Sequence, residues 1–81
     1  MIEPPPPVDL AALGHAVANA RYAAGLTLDG LAERSGISRR MLTEVEQGRI
    51  NPSIGVLHAI AHAVDVPLGE LASAACTDGA R

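Results

Sequence analysis

The stretch Gly25-Leu26-Thr27-Leu28-Asp29-Gly30-Leu31-Ala32-Glu33-Arg34-Ser35-Gly36-Ile37-Ser38-Arg39-Arg40-Met41-Leu42-Thr43-Glu44-Val45-Glu46-Gln47-Gly48-Arg49 decides the fold. It holds two helical segments separated by only Ser35-Gly36-Ile37-Ser38. Thr27 is the N-cap candidate of the first, which carries Leu28, Leu31 and Ala32 at helical spacing. Gly36 closes it, because glycine takes the left-handed geometry without a Cβ penalty. Ser38 caps the second segment, which is expected to run to about Gln47 before Gly48. At about 100° per residue, Leu42 and Val45 share one face of that helix. Arg39, Arg40, Thr43, Glu44 and Gln47 spread over the other, and Glu46 falls at the edge of the buried side. The outward side chains are all polar, and each is long or able to form hydrogen bonds. Such a face can address base edges, and a solvated face has the same pattern.

Outward from this stretch the punctuation is equally local. Asp9 is a plausible N-cap for a segment with Leu13, Val17 and Ala20 stepping by helical intervals, ended by Gly25. Asn51-Pro52-Ser53 reads as a turn whose Ser53 caps a fourth stripe, Ile54, Leu57, Ile60, Ala61 and Val64. Pro67 suits the first turn of a fifth helix holding Leu68 and Leu71. No segment alternates with period two, so the fold class is all-α, a compact five-helix domain. Its expected extent is residues 9–74. Residues 1–8 contain four consecutive prolines and read as a disordered arm in polyproline II, better suited to a stiff leader than to a helix. Residues 75–81 lack periodicity and read as a flexible tail.

The chain has 81 residues, six basic and nine acidic side chains, and a net charge of −3. It is 48% apolar with one Tyr and no Phe or Trp, and all six basic residues are Arg. That length suits one domain with a modest core, and the apolar fraction excludes disorder throughout. One cysteine, Cys76, allows no internal disulfide, so the chain reads as intracellular. Neither a membrane span nor a secretory signal is expected. Near-absence of aromatics argues against modules that stack single-stranded bases. The acidity is uneven: residues 21–51 carry five Arg against Asp29, Glu33, Glu44 and Glu46, while the rest carries one Arg against five acids. Net acidity therefore does not exclude DNA, though it implies weak non-specific binding. His58 and His62 stand at i and i+4, but Ala59 follows His58 where a metalloprotease motif needs Glu, and no third ligand is evident. No metal, no cofactor and no enzyme activity are expected, since no nucleophile–base set and no phosphate loop is present.

Two helices joined by a short Gly-containing turn describe a helix-turn-helix. The combined wording resembles the lambda-repressor-like helix-turn-helix domains of the XRE family over roughly residues 10–72. The Leu31-Ala32-Glu33-Arg34 step, the Val45-Glu46-Gln47-Gly48-Arg49 step and the Asn51-Pro52-Ser53 turn carry the resemblance. Ser38-Arg39-Arg40-Met41-Leu42 and Asn51-Pro52-Ser53-Ile54-Gly55 look most like the subgroup with a C-terminal cupin sensor. The sequence to Arg81 holds no cupin, so the resemblance implies a stand-alone regulator or a domain apart from its sensor.

The resemblance implies a DNA-binding transcriptional regulator, cytoplasmic and bacterial, working as a homodimer on double-stranded DNA with the third helix in the major groove. It places Arg39, Arg40, Thr43 and Glu44 at base-contact positions. Arg can donate two bonds to guanine, Glu can accept from cytosine N4, and Thr can meet a phosphate or a thymine methyl. It places Thr27, Ser38, Arg49 and Asn51 at phosphate contacts, the two caps through free amides at helix starts. Arg21 and Glu46 match a structural ion pair between the first and third helices. Two departures stand out. Leu28 replaces a frequent phosphate-binding Gln, and Gly30 sits inside a helix at a cost of about 1 kcal/mol. Two other functions share the fold: a DNA-binding antitoxin, for which the tail is short, and a protein-interaction module that has lost DNA binding, against which the outward arginines argue.

Overall fold

A computed structural model describes residues 3–76. Five helices follow in order: α1 (Leu10–Ala23), α2 (Leu28–Ser35), α3 (Arg39–Glu46), α4 (Ile54–Val64) and α5 (Leu68–Ala74). Among the described residues there is no strand, and the architecture is all-α. No single described helix is long and apolar enough to cross a membrane.

The helix starts are chemical. Asp9, Thr27, Ser38 and Ser53 each accept a hydrogen bond from the backbone N–H three residues on. Each satisfies a donor that the helix itself cannot, stabilising by about 1 kcal/mol. Gly25 and Gly36 hold positive φ values of 73° and 76° where α1 and α2 stop. The stop of α4 had no glycine to announce it. Asp65 takes φ 63° there, a conformation that Asp tolerates better than most residues.

Leu13, Val17, Leu31, Leu42, Val45, Ile60 and Leu71 are the largest fully buried side chains, so every helix contributes to one core. Three expectations need correction. Ile54 is 67% exposed rather than part of the buried stripe, because it opens α4 before the helix has reached the core. Ala63 lies inside instead. Pro67 is the N-cap of α5, one residue earlier than expected, with extended backbone and no side-chain cap. Ala75, assigned to the tail, is buried, and its carbonyl accepts a 2.9 Å bond from the Asp9 N–H that closes the two ends of the domain. Cys76 is exposed, and the rest of the expected tail, residues 77–81, lies outside the described residues, as do residues 1–2 of the arm.

The positioning of α3 depends on its tail end. Gly14 of α1 lies so close to α3 that a Cβ there would overlap the Glu46 carbonyl and come within 2.7 Å of the Val45 carbonyl. Gly48, with φ 72°, sits against the Ala11 backbone, where a Cβ would lie 3.2 Å away. Glycine thus lets α1 touch the end of α3 directly. Gly55 has no such reason. A Cβ at Gly55 in α4 would have only Ser53 Oγ nearby, at 3.8 Å. Gly55→Ala should therefore raise stability by about 0.4–1 kcal/mol, seen as a melting midpoint a few degrees higher. An unchanged or lower midpoint would show crowding that this geometry lacks.

Candidate nucleic-acid interface

The turn between α2 and α3 is held tightly. The Gly36 N–H donates to the Ala32 carbonyl at 2.9 Å, and the Ile37 N–H donates to Ser35 Oγ at 3.1 Å. Ile37 is half-buried and packs against the core between the two helices. Leu42 and Val45 are fully buried, which turns Arg39 and Arg40 outward at the start of α3.

Arg39 and Arg40 are both exposed. Arg39 Nη1 lies 3.3 Å from Asp29 Oδ1 and 3.5 Å from Oδ2, across the two helices. Arg40 has no ion-pair partner among the described residues. Thr43 is half-buried, and its hydroxyl donates to the Arg39 carbonyl at 3.0 Å. Its proton is therefore committed to the helix, leaving the methyl and an acceptor lone pair outward. Glu44 is half-buried and lies 3.6 Å from Arg49 Nη1. The Arg49 side chain is exposed, and its N–H donates to the Glu44 carbonyl, so the loop after α3 folds back on the helix end. Asn51 is exposed beyond it, before the buried Pro52. Thr27 and Ser38 have their hydroxyl oxygens occupied as caps at 3.0 and 3.1 Å. Leu28 is half-buried and packs against the core.

The outward pairs involving Asp29 and Glu44 cross between elements, and no helical spacing rule points to them. Both are solvated, so each contributes about 0–1 kcal/mol to folding. Their greater effect is on charge: two of the outward arginines already face a carboxylate.

Arg21 and Glu46 form a different kind of pair. Arg21 Nε donates to Glu46 Oε2 at 2.7 Å and Nη2 donates to Oε1 at 3.0 Å, a two-pronged contact between α1 and α3. Nη1 donates to the Leu26 carbonyl at 3.0 Å, and the guanidinium carbon lies 4.5 Å from the Tyr22 ring centre. Arg21 is 7% exposed. The hydrogen-bonded Glu46 carboxylate holds its guanidinium charged above the ordinary range, against the opposite pull of burial. One side chain thus ties α1, the α1–α2 turn and the end of α3 together.

His58 and His62 are both exposed on α4, and no group of three metal-ligating side chains occurs among the described residues. A surface hollow of about 650 Å³ is lined from α1, α4 and α5 with Arg34 of α2, and by no residue of α3. It is not part of the outward face of α3.

A family model described as a helix-turn-helix domain matches residues 12–74, which include all five described helices except Leu10 and Ala11 at the start of α1. The chain belongs to that family. Among known proteins, this helix-turn-helix chain is 45% identical over 40 residues to an uncharacterized HTH-type transcriptional regulator of Methanothermobacter thermautotrophicus. That match covers 49% of this chain and 58% of the relative, so it spans under two thirds of the relative's length. A second, of Sinorhizobium fredii, is 37% identical over 59 residues, covering 73% of this chain and 77% of the relative. Among solved structures, the restriction-modification controller protein C.AhdI of Aeromonas hydrophila superposes with a TM-score of 0.75 at 35% identity, covering 78% of this chain and 96% of the other. The fold is that of XRE-like helix-turn-helix transcriptional regulators.

Proposed function

We propose that the chain is a sequence-specific reader of double-stranded DNA that regulates transcription as a homodimer on a two-fold operator. The observation that carries this reading is the start of α3, where two adjacent exposed arginines stand at the open end of a helix capped by Ser38. Geometry of this kind suits a recognition helix whose N-terminal side chains meet base edges in the major groove. Arg40, without a carboxylate partner among the described residues, is the leading candidate for a two-pronged guanine contact. Arg39 and Glu44 would read neighbouring positions, and Thr43 would meet a thymine methyl, since its proton is already spent on Arg39. The free amides at the Thr27 and Ser38 caps, with Arg49 and Asn51, would hold phosphates.

The short reading surface favours a dimer. An α3 of eight residues reaches only a few base pairs, and the net charge of −3 gives little help from non-specific attraction. Two copies with half-sites about 34–36 Å apart would multiply the discrimination of one.

Selection from random duplexes, followed by titration at several salt concentrations, tests the reading. Arg40→Ala should relax the preferred base at one position and cost about 1–3 kcal/mol on the best site. Arg49→Ala should weaken all duplexes alike and reduce the salt slope by about 1. Absence of duplex binding by the wild-type chain at low salt would refute the proposal. A stoichiometry of one chain per selected site would refute the dimer.

A further inference from the structure

The cation at the start of α3 does not stand alone. Asp29, in the first turn of α2, faces Arg39 with both carboxylate oxygens, at 3.3 and 3.5 Å, and both contacts use the same guanidinium nitrogen, Nη1. Among the described residues no acceptor engages Nε or Nη2 of Arg39. We propose that Asp29 is a positioning residue that makes Arg39 selective for guanine, an inference that rests on the reading of α3 as a DNA-reading helix.

The chemistry is that of a fork held by its handle. An exposed arginine samples many rotamers, and a base contact must first freeze them. Asp29 takes one nitrogen and leaves the Nε–Nη2 edge, two parallel donors, for the O6 and N7 acceptors of guanine. The same carboxylate discourages Arg39 from settling on a nearby phosphate, which would hold it equally well on every sequence. Both effects act on discrimination more than on total affinity. Asp29 also lies where a negative charge favours the N-terminal end of α2, so a purely local role in the helix is the competing explanation. Its side chain is 75% exposed, which keeps that contribution to folding small and leaves the group free to face a ligand.

Asp29→Asn keeps the shape and removes the charge. The full chain and its Asp29→Asn, Asp29→Glu and Arg39→Ala variants, with the double variant, would each be taken through selection from random duplexes. Affinities for the best site and its single-base variants would then be measured. The expected result is a fall of about two- to tenfold in discrimination at one guanine position in Asp29→Asn. Asp29→Glu should recover part of it. In the Arg39→Ala background, Asp29→Asn should change that position no further. A uniform rise in affinity on all duplexes with unchanged base preference would overturn the proposal, since it would make Asp29 a mere repellent of phosphate. A matching fall in melting midpoint with unchanged preference would overturn it in favour of the helix-end role. If the wild-type chain selects no duplex, the DNA-reading function itself falls, and this inference with it. If the wild type selects a site and Asp29→Asn selects it with the same profile, only the inference falls.

Discussion

Gly14→Ala should lower stability by about 2–3 kcal/mol, a fall of ~10–20 °C in melting midpoint for a domain of this size. The expectation runs against helix propensity, which favours Ala over Gly by up to about 1 kcal/mol in a helix interior. Packing reverses the sign. A Cβ at Gly14 would overlap the backbone carbonyl of Glu46 and press on that of Val45. A flexible side chain could rotate away from such an intrusion, but a carbonyl bonded within a helix moves only with the helix. The cost is therefore displacement of α3 from α1. Gly55→Ala is the internal control, because the same added methyl in α4 meets only Ser53 Oγ at an ordinary contact distance of 3.8 Å. Opposite signs for the two substitutions, measured by thermal melts, are the result this packing demands. A Gly14→Ala midpoint at or above that of the wild type would show that α1 and α3 do not approach this closely.

Features with local causes were readable from the sequence. Asp9, Thr27, Ser38 and Ser53 lie three residues before the amides they cap, so a short window contains both partners. The same holds for the α2–α3 turn and for the outward position of Arg39 and Arg40, which follows from Leu42 and Val45 being apolar. Ile54 was misplaced because periodicity assigns a face and takes no account of where the helix meets the core. Gly14 gave no signal distinguishing it from Gly55, since close approach depends on a partner 31 or 32 positions along the chain. The proton of Thr43 depends on a rotamer, and the facing of Asp29 on Arg39 depends on the angle between two helices. Arg21 and Glu46, 25 positions apart, were paired only through the family resemblance.

These long-range features converge on the angle at which α3 is presented. Gly14 and Gly48 set how near its end comes to α1, and Arg21 grips Glu46 at the same end. The start of α3 is held by the Ser38 cap, the α2–α3 turn with its half-buried Ile37, and the exposed pair from Asp29. The backbone of α3 is thus fixed at both ends, and the side chains of Arg39 and Arg40 are left exposed. The uneven charge fits this division. Arg21 is consumed in structure, Arg39 and Arg49 face carboxylates, and Arg34 and Arg40 have no ion-pair partner among the described residues. With a net charge of −3, such a surface has little general attraction for phosphate.

The second large effect is expected at that anchor. Glu46→Ala should cost about 3–5 kcal/mol, because it leaves the Arg21 guanidinium charged and largely buried with one neutral acceptor, the Leu26 carbonyl. For a small domain that is a large share of a total of about 5–15 kcal/mol, so the variant should be partly unfolded at 37 °C. Arg21→Ala should cost a similar amount and also strip the Leu26 carbonyl of its side-chain donor. Arg21→Lys keeps the charge and loses the fork, since one ammonium cannot reproduce two parallel bonds to Glu46 and a third to Leu26. It should fall between wild type and Arg21→Ala. The decisive comparison is the double replacement Arg21→Met with Glu46→Leu. Removing both charges eliminates the unpaired one, so most of the lost stability should return, less the share of the Leu26 bond. Stability restored in this way need not restore DNA reading, because apolar packing does not reproduce the fixed geometry of the two-pronged pair. Melts and duplex titrations on the same four variants separate the two roles. Single variants that melt like the wild type would show the pair to be ornamental. A double variant as unstable as either single one would show that the angle of α3, rather than an unpaired charge, is what the pair protects.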